Sequence, residues 1–323
     1  FKLRDKSQHS PMRDFLVPRL IESGMSVVIM PAGGDSVDER HGIQPMLDGS
    51  LRTLDMLLVE IEKTDGKASI IKTKADIPTR PNRGKVQIFL DLEGGGSIEG
   101  LPEPEYHADR RMALLRTFYR LGVRGMQLTH HARNQLGDGI QGGKMGGRLS
   151  PFGVEVVREM NRLGMMIGVS HLSANGVLHC AEISKHPIVS THQNIQPFLK
   201  TPLELIDEEV KAIAKTGGIV GIRYIEGQTP YKLLADEVEH LAKTVGVRHI
   251  GIGWLGHDAG HPYTGHVPGF TQGRRAPSGV EAQTMREHWE TFIRMLAERG
   301  FKDADIAQIA GGNYLRVWNQ ILS

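Results

Sequence analysis

The chain has 323 residues, of which 39% are hydrophobic and 24% are charged, and its formal net charge is +2. These values are typical of a globular protein with a substantial core. The near-neutral charge gives no reason to expect nucleic acid or an anionic membrane as a partner. The one cysteine, Cys180, excludes an internal disulfide and a thiolate zinc cluster. No run approaches 18 apolar residues, so the sequence predicts a soluble protein without a membrane span.

The chain starts at Phe1 with neither an initiating methionine nor a signal-peptide pattern. We expect that residues upstream of Phe1 have been removed, so the lack of a targeting signal is weak evidence about the compartment. A cytoplasmic location is slightly favoured, and a periplasmic or secreted location stays open.

Apolar runs and helical periodicities alternate along the chain with few interruptions. Strands are predicted at residues 26–30, 86–92, 125–129, 165–170, 187–191, 218–222 and 248–252. Helices are predicted at residues 15–24, 51–63, 108–121, 150–164, 172–186, 203–215, 231–244, 280–298 and 303–322. Residues 64–84 read as a polar connection with Pro78 and Pro81.

This alternation predicts an α/β fold of the (β/α)8 TIM-barrel type, formed by one domain over residues 1–323. Such a barrel needs eight strands, and the pattern shows seven. The simplest explanation is that the first strand lies upstream of Phe1. The alternative is that the chain contains an eighth strand whose sequence shows no clear strand pattern. No repeat, low-complexity run or linker divides the chain.

Two of the predicted strands end on a histidine, one at His171 and the next at His192. A crossover helix between them makes the strands parallel neighbours, which carry their last residues to the same edge of the sheet. The two imidazoles are therefore expected to converge, although a hydrogen-bonded core role for either histidine is the alternative. Glu93 ends another strand, and a carboxylate with two imidazoles suits zinc or a comparable divalent ion. The spacing predicts a metal-dependent hydrolase.

The segment Asp91-Leu-Glu-Gly-Gly-Gly-Ser-Ile98 resembles the Glu-Gly-Gly segment of the membrane (renal-type) dipeptidases, which are zinc peptidases with a (β/α)8 barrel. Further blocks follow in the family's order: residues 115–130 with Asn134, Leu149-Ser-Pro-Phe-Gly153 with residues 160–164, Ser170-His-Leu-Ser173, Ile188-Val-Ser-Thr-His192, Gly251-Ile-Gly253 and residues 311–318. Each block is weak alone, and the ordered set is specific.

The resemblance implies roles for individual residues. Glu93 would bridge two metal ions, and His171 and His192 would complete the ligands of one of them. His130 would hydrogen-bond the scissile carbonyl oxygen as part of an oxyanion hole, with a structural hydrogen bond as the alternative. Asn134 would belong to the substrate-binding residues. Three other histidines match nothing in the family and are taken as surface or packing residues: His107, His131 and His186.

The chain departs from the family at the second metal site. The family holds that ion with a His-x-Asp motif on the first strand, and the start of this chain has none, since His9 is followed by Ser10 and Pro11. We expect His-x-Asp a little upstream of Phe1, and with it a two-zinc centre. The alternative is a member that has lost one metal site and binds one ion.

The chain also departs from the family in its substrate contacts. In the family, an aspartate on the last strand meets the substrate amine and shuttles a proton to the leaving nitrogen. Asp258 is the acidic residue nearest to that position in this chain, and His257 is the alternative candidate for the role. Arg223 ends a strand and could clamp the substrate carboxylate, or it could pair with Glu226 or another acid. Lys200 is a weaker candidate for the same carboxylate.

The resemblance therefore implies a zinc-dependent dipeptidase in which a metal-bound hydroxide attacks the peptide bond of a small dipeptide. The family binds the substrate carboxylate with an Arg-Asn pair after the second histidine, and residues 198–204 of this chain replace that pair. This change opens the substrate range to dipeptides with a D-residue and to other N-acyl amino acids. Two alternatives stay open: a biosynthetic enzyme that acts on a modified peptide, and a non-catalytic relative that lacks one metal site. Homodimers are common in the family, but the sequence shows no surface stripe that indicates one.

Overall fold

The structure is a computed structural model that describes residues 10–35, 46–81, 83–98, 108–143, 145–199, 201, 203–224, 230–255 and 285–323. Its strands are β1 (Val27–Pro31), β2 (Ala68–Ile70), β3 (Val86–Glu93), β4 (Gly125–Gln127), β5 (Met166–Gly168), β6 (Ile188–Ser190), β7 (Ile219–Tyr224) and β8 (Ile250–Leu255). The seven predicted strands are all confirmed. The unpredicted one, β2, is three residues long and lies in the polar connection, so it is too short to show an alternating pattern.

The strands form one parallel, curled sheet in the order β1-β3-β4-β5-β6-β7-β8, and β2 pairs with the first half of β3. Within the described part of the chain, no pairing joins β1 to β8, so the sheet is an open half-barrel. The predicted α/β class is confirmed. Parallel strands require crossover connections, which explains why helices separate most of them.

The helices lie between and after the strands at nearly the predicted positions. They are α1 (Val17–Glu22, continuing the π-helical turn Met12–Leu16), α2 (Met46–Glu62), α3 (Ala108–Arg111), α4 (Ala113–Leu121), α5 (Pro151–Leu163), α6 (Ala174–Ile183), α7 (Asp207–Lys215), α8 (Tyr231–Thr244), α9 (Met285–Glu298), α10 (Asp303–Ala307) and α11 (Asn313–Ile321). The last predicted helix is broken at Gly311, whose backbone is extended. No helix among the described residues is both long and apolar enough to cross a membrane.

Helix α5 shows how local sequence sets an element's bounds. The Ser150 side chain accepts a hydrogen bond from the Gly153 backbone N–H, and Pro151 occupies the first helical position. Gly164 ends the helix in the left-handed conformation, with φ of 70°. Both ends of this helix confirm the sequence prediction.

The two faces of the sheet carry different side chains. In β3 one face presents Val86, Ile88, Leu90 and Leu92 to the surrounding helices. The opposite face, here called the inner face, carries Phe89, and by the two-residue period of a strand it also carries Gln87, Asp91 and Glu93. The inner face therefore changes from apolar to acidic toward the carboxyl end of the strand.

Helix α11 packs on the apolar part of the inner face. Its Trp318 is 1% exposed and stacks on Phe89, with ring centroids 4.3 Å apart and planes inclined by 7°. The Trp318 indole N–H lies 3.4 Å from the Met166 sulfur. The Tyr314 hydroxyl of the same helix donates to the Thr191 backbone carbonyl at 3.1 Å, close to the carboxyl end of β6. The C-terminal helix thus supports the sheet from within.

We expect Trp318→Ala to destabilise the protein by about 3–5 kcal/mol, because it removes a fully buried indole that packs on the inner face and leaves a cavity. Urea unfolding followed by circular dichroism measures the change. The exposed Gln320 on the same helix provides a control, and Gln320→Ala should shift stability by less than about 0.5 kcal/mol. Equal effects of the two substitutions would contradict the packing role of Trp318.

A buried carboxylate, Glu237 of α8, ties this helix to the segment after β6. It accepts hydrogen bonds from the Asn194 side-chain amide at 2.6 Å and from the Ile195 backbone N–H at 3.1 Å. Burial raises the pKa of Glu237 to about 8, and the neighbouring Glu204 adds to the rise, against the lowering effect of those hydrogen bonds and of Arg223. Glu237 is therefore mostly protonated in the folded protein at neutral pH.

This raised pKa predicts a pH-dependent stability. The ordinary pKa of a glutamate is 4.5, and the pKa of Glu237 in the folded protein is about 8. Between these pH values the folded protein holds a proton that the unfolded chain releases, so the contribution of Glu237 to stability falls as pH rises. In Glu237→Gln the titration is absent. The stability advantage of the wild type over the variant should therefore shrink by at least about 1 kcal/mol from pH 5 to pH 8. Urea midpoints at both pH values test this, with Glu298→Gln at an exposed site as the control.

Candidate metal centre

The pairing of β5 with β6 brings His171 and His192 together. These strands are parallel neighbours, with Ile167 opposite Ile188. His171 and His192 follow the two strand ends, and their Nε2 atoms lie 2.9 Å apart. The predicted convergence of the two imidazoles is therefore confirmed.

Glu93, the last residue of β3, completes a cluster with these histidines. Its Oε1 lies 3.4 Å from His192 Nε2 and 3.8 Å from His171 Nε2. The three side chains are 13%, 15% and 4% exposed, in the order Glu93, His192 and His171. We call these residues the Glu93 group. Its donor atoms all lie within 4.8 Å of one another.

The protonation states of Glu93 and His171 are those that metal ligands need. Burial alone would raise the pKa of Glu93, but hydrogen bonds and charge interactions with His171 and His192 outweigh it and hold that pKa well below its ordinary value. Burial lowers the pKa of His171 to about 3, so its imidazole is neutral at physiological pH. A carboxylate and a neutral imidazole both present lone pairs to a cation.

Hydrogen bonds behind the histidines hold their orientation. The Ser170 hydroxyl accepts from the Thr191 N–H at 2.8 Å and from the His192 N–H at 3.3 Å. The Thr191 hydroxyl lies 2.8 Å from His192 Nδ1, which engages that nitrogen and leaves Nε2 for the cluster. His171 adopts φ of 65°, a sparsely populated conformation that often marks functional sites.

The geometry fits a divalent metal ion. Two donors on a tetrahedral zinc ion, each at about 2.0–2.1 Å, lie roughly 3.4 Å apart. The Glu93 group already spaces its donors at 2.9, 3.4 and 3.8 Å. Two nitrogens and one oxygen are a donor set that zinc accepts. The residues present therefore fit the ion that the sequence predicts.

Asp91 precedes Glu93 by two residues on the same face of β3 and is 1% exposed. Burial raises its pKa to about 8, and the charge of Glu93 adds to this, although the Gln127 amide hydrogen bond at 3.4 Å acts in the other direction. Asp91 is therefore mostly neutral at pH 7. Glu93 carries its negative charge without a second carboxylate charge directly beneath it.

His130 follows β4 and borders the Glu93 group. It is 8% exposed, and its ring centroid lies 4.6 Å from that of His171. Its backbone N–H donates to Asp35 Oδ2 at 3.4 Å. The position is compatible with the predicted contact to a substrate carbonyl, which stays a prediction.

Asp35 is a residue that the sequence pattern did not single out. It is 5% exposed and accepts from the Gly96 N–H at 2.5 Å and from the Asn134 amide at 2.8 Å. Burial raises its pKa, against the effect of these hydrogen bonds. The available signal was the Gly33-Gly34-Asp35 sequence after a predicted strand, which is typical of a loop at the carboxyl edge of a sheet.

Glycines allow the loops of Asp35 and Glu93 to meet. Gly34 has φ of 119°, and a Cβ there would lie 2.5 Å from the Glu93 backbone. Gly94 has φ of 113°, and a Cβ there would lie 2.3 Å from the Asp35 carboxyl carbon. Both positions therefore exclude larger side chains.

Asn134 has both ends of its amide engaged inside the protein. Its Nδ2 donates to Asp35 and, at 2.9 Å, to the Leu128 carbonyl, while its Oδ1 accepts from the Leu136 N–H at 2.8 Å. These contacts make Asn134 an anchor of the loop after β4. Its substrate-binding role stays a prediction.

Two of the three unassigned histidines are described, and they differ in position. His131 lies beside the Glu93 group, with its ring centroid 4.0 Å from that of His130 and 4.6 Å from that of His171. His186 is remote from these rings in its contacts and lies 3.1 Å from the Asn161 carbonyl through Nε2. His107 lies outside the described residues.

Arg223, in β7, lies near a buried acid. Its guanidinium is 3.5 Å from Glu204 Oε1, and the two side chains are 13% and 2% exposed. Glu204 also accepts from the Thr201 hydroxyl and from the Asn194 N–H, both at 3.1 Å. The ion pair considered as the alternative for Arg223 therefore forms, with Glu204 as the acid. Glu226 lies outside the described residues.

Three further predicted site residues lie outside the described part of the chain: Lys200, His257 and Asp258. Their predicted roles stay predictions.

Comparison with solved structures supports the fold. An amidohydrolase from Pseudomonas aeruginosa matches 95% of this chain and 92% of its own, with a TM-score of 0.74 and 23% identity. A metallopeptidase from Rhodobacter sphaeroides, solved with a phosphinate mimic of the dipeptide L-Ala-D-Ala, matches 94% of this chain and 89% of its own, with a TM-score of 0.74 and 18% identity. At these identities the likeness shows the fold alone.

Sequence comparison supplies the family. Dipeptidase verJ from Clonostachys rogersoniana is 26% identical over 276 residues, which cover 85% of this chain and 66% of that protein. The chain spans 45–54% of the length of three further curated dipeptidases. The family model for membrane dipeptidase, peptidase family M19, matches residues 7–323. The chain therefore belongs to the membrane dipeptidase family, as its ordered motifs had indicated.

Proposed function

We propose that the protein is a zinc-dependent dipeptidase that hydrolyses the peptide bond of small dipeptides. The observation that carries the proposal is the Glu93 group, with donors 2.9–3.8 Å apart at the carboxyl edge of the sheet. Active sites of barrel enzymes lie at this edge. Membership of a dipeptidase family supports the reaction class.

Glu93, His171 and His192 would hold a zinc ion. A bound zinc ion would supply Lewis acidity toward the substrate carbonyl and an activated water nucleophile. Ser170 and Thr191 would keep the imidazoles in place through the hydrogen bonds described above, since such contacts orient ligands and tune their basicity.

His130 would donate a hydrogen bond to the scissile carbonyl oxygen and stabilise the negative charge that develops on it. Its ring borders His171, and Asp35 fixes its backbone from the opposite loop. This anchoring holds the imidazole in place before the substrate arrives. Asn134 would contribute indirectly, because it binds Asp35.

The charged substrate ends would meet Arg223, Lys200 and Asp258. Arg223 lies on the same face of β7 as Ile219, which belongs to the inner face, so its guanidinium would meet a substrate carboxylate from its position beside Glu204. Lys200 would assist there, and Asp258 would pass a proton to the departing amine. The Rhodobacter sphaeroides peptidase was solved with a mimic of L-Ala-D-Ala, so dipeptides with a C-terminal D-residue should be tested as substrates of this protein.

Glu93→Gln should weaken zinc binding by at least about 10-fold, because it replaces a charged ligand oxygen with a neutral amide. Equilibrium dialysis with elemental analysis measures the affinity, and hydrolysis of L-Ala-L-Ala and L-Ala-D-Ala measures activity. Glu208→Gln, at an exposed site, should change neither. Zinc-loaded wild-type protein that hydrolyses no dipeptide would overturn the proposed reaction, with a biosynthetic or non-catalytic protein as the remaining interpretation.

His130→Asn should lower kcat by about 10²–10³-fold with a smaller change in KM, because the carbonyl contact strengthens as charge develops in the transition state. Steady-state kinetics on the best dipeptide provide the test. His186→Asn serves as the control, since the His186 imidazole hydrogen-bonds the Asn161 carbonyl rather than any residue of the Glu93 group. A loss confined to KM would instead assign His130 to ground-state binding.

A further inference from the structure

Beside the Glu93 group lies a second cluster, made of His130, His131 and His171. We call it the three-histidine group. One ring nitrogen of each residue lies within 4.8 Å of the others. The ring centroids are separated by 4.0 Å for His130–His131 and by 4.6 Å for each of the pairs with His171. The proposed reaction gives His131 no role.

The loop after β4 carries His130 and His131, and two consecutive backbone hydrogen bonds tie this loop to His171 and close it on itself. The Ile140 N–H donates to the His171 carbonyl at 3.0 Å, and the Gln141 N–H donates to the His131 carbonyl at 2.9 Å. Gly139 makes this approach feasible, because a Cβ there would lie 2.3 Å from the His131 carbonyl oxygen. The backbone of His131 is therefore held in place beside His171.

The two groups share His171 and differ in charge. A neutral imidazole offers one lone pair to a metal ion. His171 can therefore bind an ion in one of the two groups but not in both at the same time. The Glu93 group contributes two nitrogens and a carboxylate, whereas the three-histidine group contributes nitrogens alone. Imidazole nitrogens suit copper, and Cu²⁺ binds more tightly than Zn²⁺ to a given set of ligands.

We propose that His130, His131 and His171 form an inhibitory site for Cu²⁺ that competes with the Glu93 group for His171. Copper in this site removes one ligand from the Glu93 group and occupies His130. The binding part of the proposal stands on the three-histidine geometry, and the inhibitory part rests on the proposed peptidase function. The donor atoms lie within 4.8 Å of one another, and rotation of the side chains would bring them around the ion.

The decisive measurement is the number of nitrogen ligands on bound Cu²⁺, read by electron paramagnetic resonance on metal-free protein with one equivalent of Cu²⁺. The three-histidine group gives three nitrogens and the Glu93 group gives two. We expect three nitrogen ligands on Cu²⁺ in the wild type and in Glu93→Gln. In His131→Asn we expect two nitrogen ligands and a copper affinity at least 10-fold weaker than that of the wild type. His186→Asn should behave as wild type. Melting curves confirm that each variant is folded, and His131→Gln provides a second substitution at the same site.

A wild-type signal from two nitrogens, or a His131→Asn protein with unchanged nitrogen count and affinity, would overturn the proposal. A second arm adds Cu²⁺ to zinc-loaded protein and follows both zinc release, with a chromogenic chelator, and dipeptide hydrolysis. His131→Asn should need at least 10-fold more Cu²⁺ than the wild type for half-inhibition of its own activity. If the zinc-loaded protein has no peptidase activity, the proposed function fails, while nitrogen counting and zinc release still decide the copper site.

Discussion

The parallel pairing of β5 and β6 is the constraint on which the metal centre depends. Because the strands run in the same direction, their carboxyl ends meet at one edge, and His171 comes within 2.9 Å of His192 across 21 positions of sequence. β3 delivers Glu93 to the same edge. A one-residue shift of either strand would turn its side chains to the other face of the sheet and separate the donors.

Burial turns this arrangement into a site with defined charge. The inner face is apolar where α11 packs and acidic where the strands end, so the donors sit in a poorly hydrated setting. Burial keeps His171 neutral and Asp91 protonated, while contacts with the imidazoles keep Glu93 ionised. The Tyr314 hydroxyl bonded to the Thr191 carbonyl links the C-terminal helix directly to the strand end that carries His192.

His171 occupies a singular place among these residues. It belongs to both candidate metal groups, adopts φ of 65°, and is buried. Its carbonyl also receives the Ile140 N–H from the loop after β4. The same residue therefore couples the Glu93 group to the loop that carries His130 and His131. In our proposal, zinc binds His171 together with Glu93 and His192, whereas copper binds it together with His130 and His131.

The sequence by itself determined the strand and helix order, the parallel class of the sheet, the family, and the placement of Glu93, His130, His171 and His192 at strand ends. These follow from local periodicity and from short motifs, which act over a few residues. Tertiary structure decided the contacts made by loops and by distant elements. Asp35 meets His130 and Asn134 across 95 and 99 positions, and Arg223 finds Glu204 rather than a neighbour in its own segment. His131 likewise joins the site only because the loop after β4 folds back onto His171. Such contacts depend on the path of irregular backbone, which carries no periodic signal in the sequence.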